Sequence, residues 1–131
     1  MGFADGKSAY IVPLNFGYTQ EDGKWSFYFH GAAVGRKLDL IRTVGYAGFE
    51  LDTNHKVNED KEACEYSFRF QSVIGQGPVR LIEGLDEKKA ALQLIMAHYS
   101  GKSDWTFPDS MVAATAIFRL EAEELCCKEH G

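Results

Sequence analysis

The sequence predicts a mainly β fold, an antiparallel barrel with helices on its outside, built as one domain of residues 1–131. Apolar and polar residues alternate with the period of a β-strand over most of the chain. Apolar residues recur with helical spacing in only two segments, 36–43 and 85–99. Because the strands do not alternate regularly with helices, a parallel sheet is disfavoured and an antiparallel barrel is expected.

The first half of the chain predicts a β-hairpin, a short helix and a third strand. Pro13 lies inside the first predicted strand and indicates irregular backbone there, because proline lacks an N–H donor. Asp22 and Gly23 supply the turn of the hairpin, and Gly45 ends the helix. The predicted elements are strand 8–19, loop 21–24, strand 25–30, helix 36–43 and strand 46–52.

The second half predicts a long bent strand, a long helix and a last strand. Gly75 and Gly77 indicate the bend, and Asp86 is expected to cap the helix. The predicted segments are a polar loop 53–62, strand 65–74 continued by 79–83, helix 85–99, loop 100–110, strand 111–121 and a charged tail without an assigned role.

Composition argues against several classes of function. The formal net charge of −5 leaves no excess of Lys and Arg to neutralise phosphates, so nucleic-acid binding is not expected. The three cysteines form neither a disulfide framework nor a C-x-x-C motif, and no metal site is predicted. No signal peptide or transmembrane segment is recognisable. We therefore expect a cytoplasmic protein with no membrane partner.

The segment that follows the predicted hairpin is the first candidate binding site. Small residues from Gly31 to Gly35 precede a helix that opens with Arg36 and Lys37. The N–H groups at a helix start attract anions, and small residues allow a phosphate to approach closely. This order of residues indicates a site for a terminal phosphate. A solvated cationic helix face is the alternative.

Two other segments contain candidate ligand contacts. A flat ring could lie against the irregular backbone of Val12–Asn15 and bond to its free groups, although a plain edge strand would give the same pattern. Gln71 and Ser72 are polar residues in an otherwise apolar strand. They either hydrogen-bond a ligand, or one of them simply faces solvent.

Among the four histidines, only His30 adjoins these candidate groups. His98 lies on the apolar stripe of the long helix and is interpreted as a core or interface residue. The nucleophile elbow of α/β-hydrolases, the P-loop and the dinucleotide-binding fingerprint are all absent. The candidates for chemistry are therefore concentrated near residues 30–37.

Taken in order, six segments resemble the nitroimidazole-resistance branch of the pyridoxamine 5'-phosphate oxidase-like flavoproteins. The order and spacing of the segments are more specific than any one of them. The resemblance runs from about Phe3 to about Leu125, nearly the whole chain. The segments are 11–18, 28–32, 35–40, 46–50, 72–77 and 91–99.

The resemblance implies a six-stranded split barrel that forms a homodimer, with FMN in clefts between the subunits. The residues implied at the isoalloxazine edge are Val12, Pro13, Leu14 and Asn15. Those implied at the ribityl phosphate are His30, Gly31, Ala32, Arg36 and Lys37. Gln71 and Ser72 would contact the flavin or its phosphate, and Trp105 and Phe107 would close the cleft from the partner subunit. His30 would also lie close to a bound substrate, as the one catalytic candidate.

Two departures from the family pattern are visible. The N-terminal helix and first strand of the family are shortened here, and Leu125-Cys126-Cys127-Lys128 stands where relatives often carry a Gly-Lys pair. The leading interpretation is an FMN-dependent oxidoreductase of small molecules, including nitroimidazole-type nitro compounds. The alternatives are a non-catalytic flavin- or haem-binding module and a structural dimer that has lost its cofactor.

Overall fold

The computed structural model describes residues 1–131 as eight β-strands, three α-helices and one 3₁₀ turn. Every strand pairing is antiparallel, and the sheet is not closed. The mainly β, antiparallel prediction is confirmed. In chain order the elements are β1 Gly2–Asp5, β2 Ser8–Ile11, β3 Phe16–Glu21, β4 Lys24–Ala32, α1 Arg36–Thr43, β5 Tyr46–Asn58, β6 Ser67–Ile82, α2 Leu85–Ser100, α3 Asp109–Ala114, β7 Thr115–Glu121 and β8 Glu124–His130.

The sheet has the order β2-β1-β5-β6-β7-β4-β3, with β8 paired to β6 off this path. β6 is the central strand, because its length allows β5 to pair along one edge and both β7 and β8 along the other. The strands number eight rather than the six that the resemblance implied. A short β1–β2 hairpin lies at the start of the chain, and β8 adds a seven-residue strand at its end.

The region around Pro13 breaks the first predicted strand in two. Residues 12–15 belong to no strand, so the prediction of one strand over 8–19 is wrong and the irregularity expected at Pro13 is confirmed. Before it, β1 and β2 form a hairpin around Gly6, which has a φ of 65° that suits glycine. The β3–β4 hairpin turns at Asp22 and Gly23, both at positive φ, as predicted.

Helix α1 begins and ends where the sequence predicted. Residues 53–62, which were predicted to form a polar loop, differ from the prediction. Strand β5 continues into them as far as Asn58, with an irregularity in its pairing between Thr53 and Lys56. Strand β6 is also continuous, and its glycines permit a close approach. A Cβ at Gly75 would lie 2.6 Å from the Phe49 ring, and one at Gly77 would overlap the carbonyl of Glu121.

The C-terminal third differs most from the prediction. Residues 109–114 form α3, so the strand expected to begin at Met111 begins at Thr115. The charged tail is strand β8, because it pairs with β6. The N-cap of α2 is Gly84 without a side-chain cap, so Asp86 is not the cap but lies in the first turn. In that position the Asp86 carboxylate still interacts favourably with the positive, N-terminal end of the helix dipole.

The main hydrophobic core lies on one face of the sheet, and a smaller buried cluster of Ile82, Ala91 and Ile117 lies where α2 covers part of the other face. Twelve buried residues, with Phe3, Phe49 and Phe118 among them, form the main cluster under α1. Along β5, β6 and β8, successive side chains alternate between the two faces of the sheet, so every second side chain points away from this core. We call this the outer face, and its exposed apolar members are Ile11, Val57, Phe68 and Ile74.

Helix α2 packs directly on β3. The contact is close because Gly17 has no side chain, and a Cβ there would lie 2.6 Å from the backbone nitrogen of Ile95. The packing carries the C-terminal end of α2 to the irregular segment 12–15. No helix of the chain combines the length and apolar character needed to cross a bilayer.

Candidate functional site

A cleft of about 890 Å³ lies beside the irregular segment 12–15. Its walls come from three places: the start of β3, the end of α2 and the paired strands β5, β6 and β8. A volume of this size is in the range of cofactor and ligand sites. The lining residues are Leu14, Phe16, Leu51, Asp52, Thr53, Gln71, Ser72, Val73, His98, Tyr99, Cys127, Lys128 and Glu129.

The irregular segment offers free backbone groups to this cleft. Val12 is fixed, since it exchanges hydrogen bonds with Met1 at 2.9 and 3.1 Å. Leu14 and Asn15 make no backbone hydrogen bond within the chain, and Pro13 has no N–H to give. An edge of polar backbone beside an apolar Leu14 side chain suits a flat heteroaromatic ring, which needs both stacking and hydrogen bonds.

An aromatic wall faces the irregular segment across the start of β3. The His98 ring lies 4.4 Å from the Phe16 ring and 4.7 Å from the Tyr99 ring, centroid to centroid. The hydroxyl of Tyr99 accepts a hydrogen bond from the Phe16 backbone N–H at 3.2 Å. This bond ties the end of α2 to the first residue of β3, so the wall and the irregular segment are held together.

The strand wall of the cleft carries most of its polar groups. Gln71 accepts a short hydrogen bond from Asn54 and donates one to Glu129 at 3.3 Å, which fixes its amide. Ser72 is the register partner of Lys128, the only cation that lines the cleft. Of the residues predicted to contact a ligand, the structure therefore places Leu14, Gln71 and Ser72 in this cleft.

Several lining residues were missed by the sequence prediction. His98 and Tyr99 were interpreted as part of an apolar helix stripe, and Lys128 belonged to an unassigned tail. A weak strand alternation at Leu125 and Cys127 was the only local signal for β8. Its pairing with β6 is a long-range contact, which a local pattern does not reveal.

Arg36 and Lys37, the predicted phosphate ligands, lie at the start of α1. Arg36 donates from both Nε and Nη2 to the Asp5 carboxylate, and this hydrogen bond and charge raise the pKa of Arg36. The side chain of Lys37 lies over Gly31, where a Cβ would stand 3.0 Å from Nζ. Gly31 therefore makes room for the Lys37 ammonium above the end of β4.

The other predicted contacts lie outside the cleft of this one chain. His30, Gly31 and Ala32 are at the end of β4 and pair with β7. Trp105 is fixed against α2, since its N–H donates to the Gln93 side chain at 3.1 Å and its indole to the Lys102 carbonyl at 3.0 Å. Phe107 is half-buried and does not line the cleft.

Several solved structures are similar to this chain. A candidate 5-nitroimidazole antibiotic resistance protein from Bacteroides thetaiotaomicron is 28% identical, with a TM-score of 0.80 over 96% of this chain and 72% of that one. An FAD and haem binding protein from Mycobacterium smegmatis is 19% identical, with a TM-score of 0.76 over 99% and 64%. A flavocytochrome from Azotobacter vinelandii is 18% identical, with a TM-score of 0.74 over 99% and 60%.

The last two likenesses establish the fold alone, and this chain spans under two thirds of either protein. No curated protein matches the sequence. The sequence pattern of one family, described as pyridoxamine 5'-phosphate oxidase, matches residues 1–129. The match covers all but the last two residues, so the resemblance noted in the sequence is confirmed and the chain belongs to the pyridoxamine 5'-phosphate oxidase-like family.

Proposed function

We propose that this chain binds FMN and acts as a flavin-dependent reductase of small molecules, with nitroimidazole-type nitro compounds as candidate substrates. The isoalloxazine ring occupies the cleft between the irregular segment 12–15 and the aromatic wall. The ribityl phosphate is held at the start of α1 by Arg36 and Lys37. Free, exposed cysteines at all three positions suit a reducing compartment such as the cytoplasm.

The observation that carries this proposal is the coincidence of the cleft with the irregular segment. The unpaired backbone of Leu14 and Asn15 lies at the edge of a cavity of flavin-binding size. Such groups need hydrogen bonds, and the edge of an isoalloxazine ring offers both donors and acceptors. Gln71 and Ser72 reach the same cavity from the strand wall.

The phosphate end is supported by charge and by space. Arg36 presents a planar fork to an anion and Lys37 a point charge. The missing side chain at Gly31 leaves the Lys37 ammonium near the end of β4, where His30 and Ala32 also lie. The Asp5 carboxylate already occupies the Arg36 fork, so a phosphate has to displace it or share the guanidinium.

The outer face supports a homodimer. Ile11, Ile74, Val57 and Phe68 have exposed fractions of 75, 54, 49 and 47%. The pairing register puts their strands side by side, so the four side chains share one face of the sheet. Exposed apolar side chains that share one face are typical of a protein interface. A second copy of the chain on the outer face would bring Trp105 and Phe107 to a cleft from the partner subunit.

A bound flavin would supply the redox chemistry, by carrying two electrons from a reductant to the substrate. The chain itself binds the ring, anchors the phosphate and limits access of water to the cleft. The aromatic wall and Leu14 would exclude solvent on the ring's faces, and the Gln71 amide would orient its polar edge.

The test compares two flavins on two variants. FMN and riboflavin differ only in the phosphate, so the double substitution Arg36→Ala and Lys37→Ala should weaken FMN binding by roughly a hundredfold and leave riboflavin binding almost unchanged. Affinity is measured by quenching of flavin fluorescence during titration of the purified protein.

A matched control changes net charge equally at another place. Lys24→Ala with Lys61→Ala removes two exposed cations, one at the β3–β4 turn and one in the loop between β5 and β6. This control should shift FMN affinity by less than about twofold. If the Arg36 and Lys37 variant binds FMN as tightly as the unmodified protein, the phosphate assignment is wrong.

A non-catalytic flavin- or haem-binding module is the second candidate function. The similar proteins include one described as binding both FAD and haem, which favours this candidate over other binding roles. The absorption spectrum of the purified protein separates the two functions, because haem gives a Soret band and oxidised flavin gives two bands in the near-ultraviolet and blue. A colourless protein that takes up neither FMN nor haem would exclude both and leave a structural dimer.

A further inference from the structure

We propose that His98 is a catalytic residue of the cleft and gives a proton to the substrate while the substrate is reduced. The inference rests on the proposed flavin-dependent reduction and names a residue that the family resemblance did not. His30 was the sequence-based candidate for this role, but it does not line the cleft of the chain, whereas His98 does.

The first argument is the fixed position of the imidazole. His98 packs against three rings: Phe16 at 4.4 Å, Tyr99 at 4.7 Å and Tyr18 at 5.8 Å between centroids. The contacts to the two tyrosines are edge-to-face, at interplanar angles of 86° and 79°. Ring contacts of this kind hold an exposed side chain in one orientation without using its polar atoms.

The second argument is that the ring nitrogens of His98 are free. The side-chain hydrogen bonds of this region are made by Gln93, Tyr99, Ser100 and Trp105, and none of them involves the imidazole. A histidine fixed by its carbon atoms, with both nitrogens unused beside the cleft, is suited to contact a ligand. His55 differs, because its Nε2 lies 2.6 Å from an Asp52 carboxylate oxygen.

Histidine is also the right kind of group for this step. Imidazole side chains hold and release protons near neutral pH, which suits them to general acid catalysis. The titratable groups that face His98 from the elements around it are few. They are Tyr18 on β3, Tyr99 on α2, Asp52 on β5, and Cys127, Lys128 and Glu129 on β8.

For a nitro compound, a bound reduced flavin would supply a hydride, and the His98 imidazolium would supply a proton. With both, one N–O bond of the nitro group would break, and the products would be a nitroso compound and water. The neutral imidazole would then take a proton back from solvent.

The kinetic test uses FMN-loaded protein reduced by dithionite under anaerobic conditions and mixed with 2-methyl-5-nitroimidazole. We expect His98→Gln to slow reoxidation of the flavin at least tenfold, since a positioned general acid contributes about 10²- to 10⁴-fold. His98→Asn should behave in the same way, and both should lose the pH dependence of the rate near neutrality. The control is Lys61→Gln, an exposed side chain in the loop between β5 and β6, which should keep the rate within about twofold.

A second readout does not depend on turnover. In the oxidised, FMN-loaded protein the imidazole ¹⁵N signals of the four histidines can be followed by NMR while the nitro compound is added. We expect the signal that is missing in His98→Gln to be the one that shifts.

The outcomes separate this inference from the proposed function. If the unmodified protein does not bind FMN, the proposed function and this role both fail. If it binds FMN and reduces the nitro compound, but His98→Gln is as fast and its signal does not shift, only the role of His98 is wrong. A larger loss in His30→Gln than in His98→Gln would also overturn it.

Discussion

The two ends of the proposed flavin site differ in how far their polar groups are already satisfied. At the ring end, the backbone of Leu14 and Asn15 and the His98 imidazole make no hydrogen bonds in the chain. At the phosphate end, the guanidinium of Arg36 is already bound by Asp5. The isoalloxazine ring can therefore bind at the ring end without breaking a hydrogen bond within the chain. The phosphate, in contrast, has to compete with the Asp5 carboxylate for Arg36.

This difference indicates separate roles for the two ends. The ring end depends on the packing of α2 against β3, which sets the width of the cleft. The phosphate end depends on charge, and its affinity for the phosphate changes with the other groups that contact the Arg36 guanidinium. Variants that alter packing should affect FMN and riboflavin alike, and variants that alter charge should affect FMN alone.

The largest effect is expected from Gly17→Ala, which disturbs the ring end. The added Cβ would lie 2.6 Å from backbone atoms of Leu94 and Ile95, and backbone cannot move aside as a flexible side chain can. We expect the free energy of unfolding to fall by about 1–3 kcal/mol, as for other overpacked sites, measured by urea denaturation. Both flavins should bind more weakly by the same factor.

The matched control for this substitution is Gly48→Ala. A Cβ at position 48 would lie 3.7 Å from its nearest neighbour, the carbonyl oxygen of Gly75, which is an ordinary van der Waals distance. Gly48→Ala should therefore be much less destabilising than Gly17→Ala. If the two variants are equally stable, then α2 does not rest on β3 as described.

A smaller effect is expected from Tyr99→Phe, which removes one hydrogen bond and keeps the aromatic wall. The Phe16 N–H loses its acceptor at 3.2 Å, and a bond of this kind contributes about 1 kcal/mol. FMN and riboflavin should both bind about threefold to fivefold more weakly in fluorescence titration. Tyr18→Phe is the control, because the Tyr18 hydroxyl makes no hydrogen bond in the chain, and it should leave both affinities unchanged.

The sequence predicted the elements whose signals are local. Helix α1 and the β3–β4 turn have their signals within a few positions, so α1 has the predicted bounds and β4 begins and ends within two residues of the prediction. The extension of β5 and the whole of β8 were missed, because their polar side chains resemble a loop. What makes them strands is pairing with β6, to which β8 is joined across about fifty positions.

The residues of the candidate site also divide into those with a local sequence signal and those without one. Leu14, Gln71 and Ser72 were singled out because a proline or a polar residue interrupts an apolar pattern locally. His98 and Tyr99 continue a helix stripe without interruption, so nothing in their own segment distinguishes them from core residues. Only the packing of α2 on Gly17 brings them to the cleft, and that contact spans about eighty positions.

The smallest effect, and the most specific one, is expected from Asp5→Asn at the phosphate end. Asparagine keeps a similar shape but removes the charge that binds the Arg36 fork, so a phosphate competes with a weaker partner. Because exposed ion pairs are weak, FMN affinity should rise by no more than about fivefold, and riboflavin affinity should not change. Asp22→Asn, which removes the same charge from the β3–β4 turn, is the control.

The gain in FMN affinity of Asp5→Asn should shrink as salt is added, since screening weakens both the ion pair and the phosphate contact. Weaker FMN binding in Asp5→Asn would mean instead that Asp5 holds Arg36 in place for the phosphate, and the two ends of the site would then be equally preorganised.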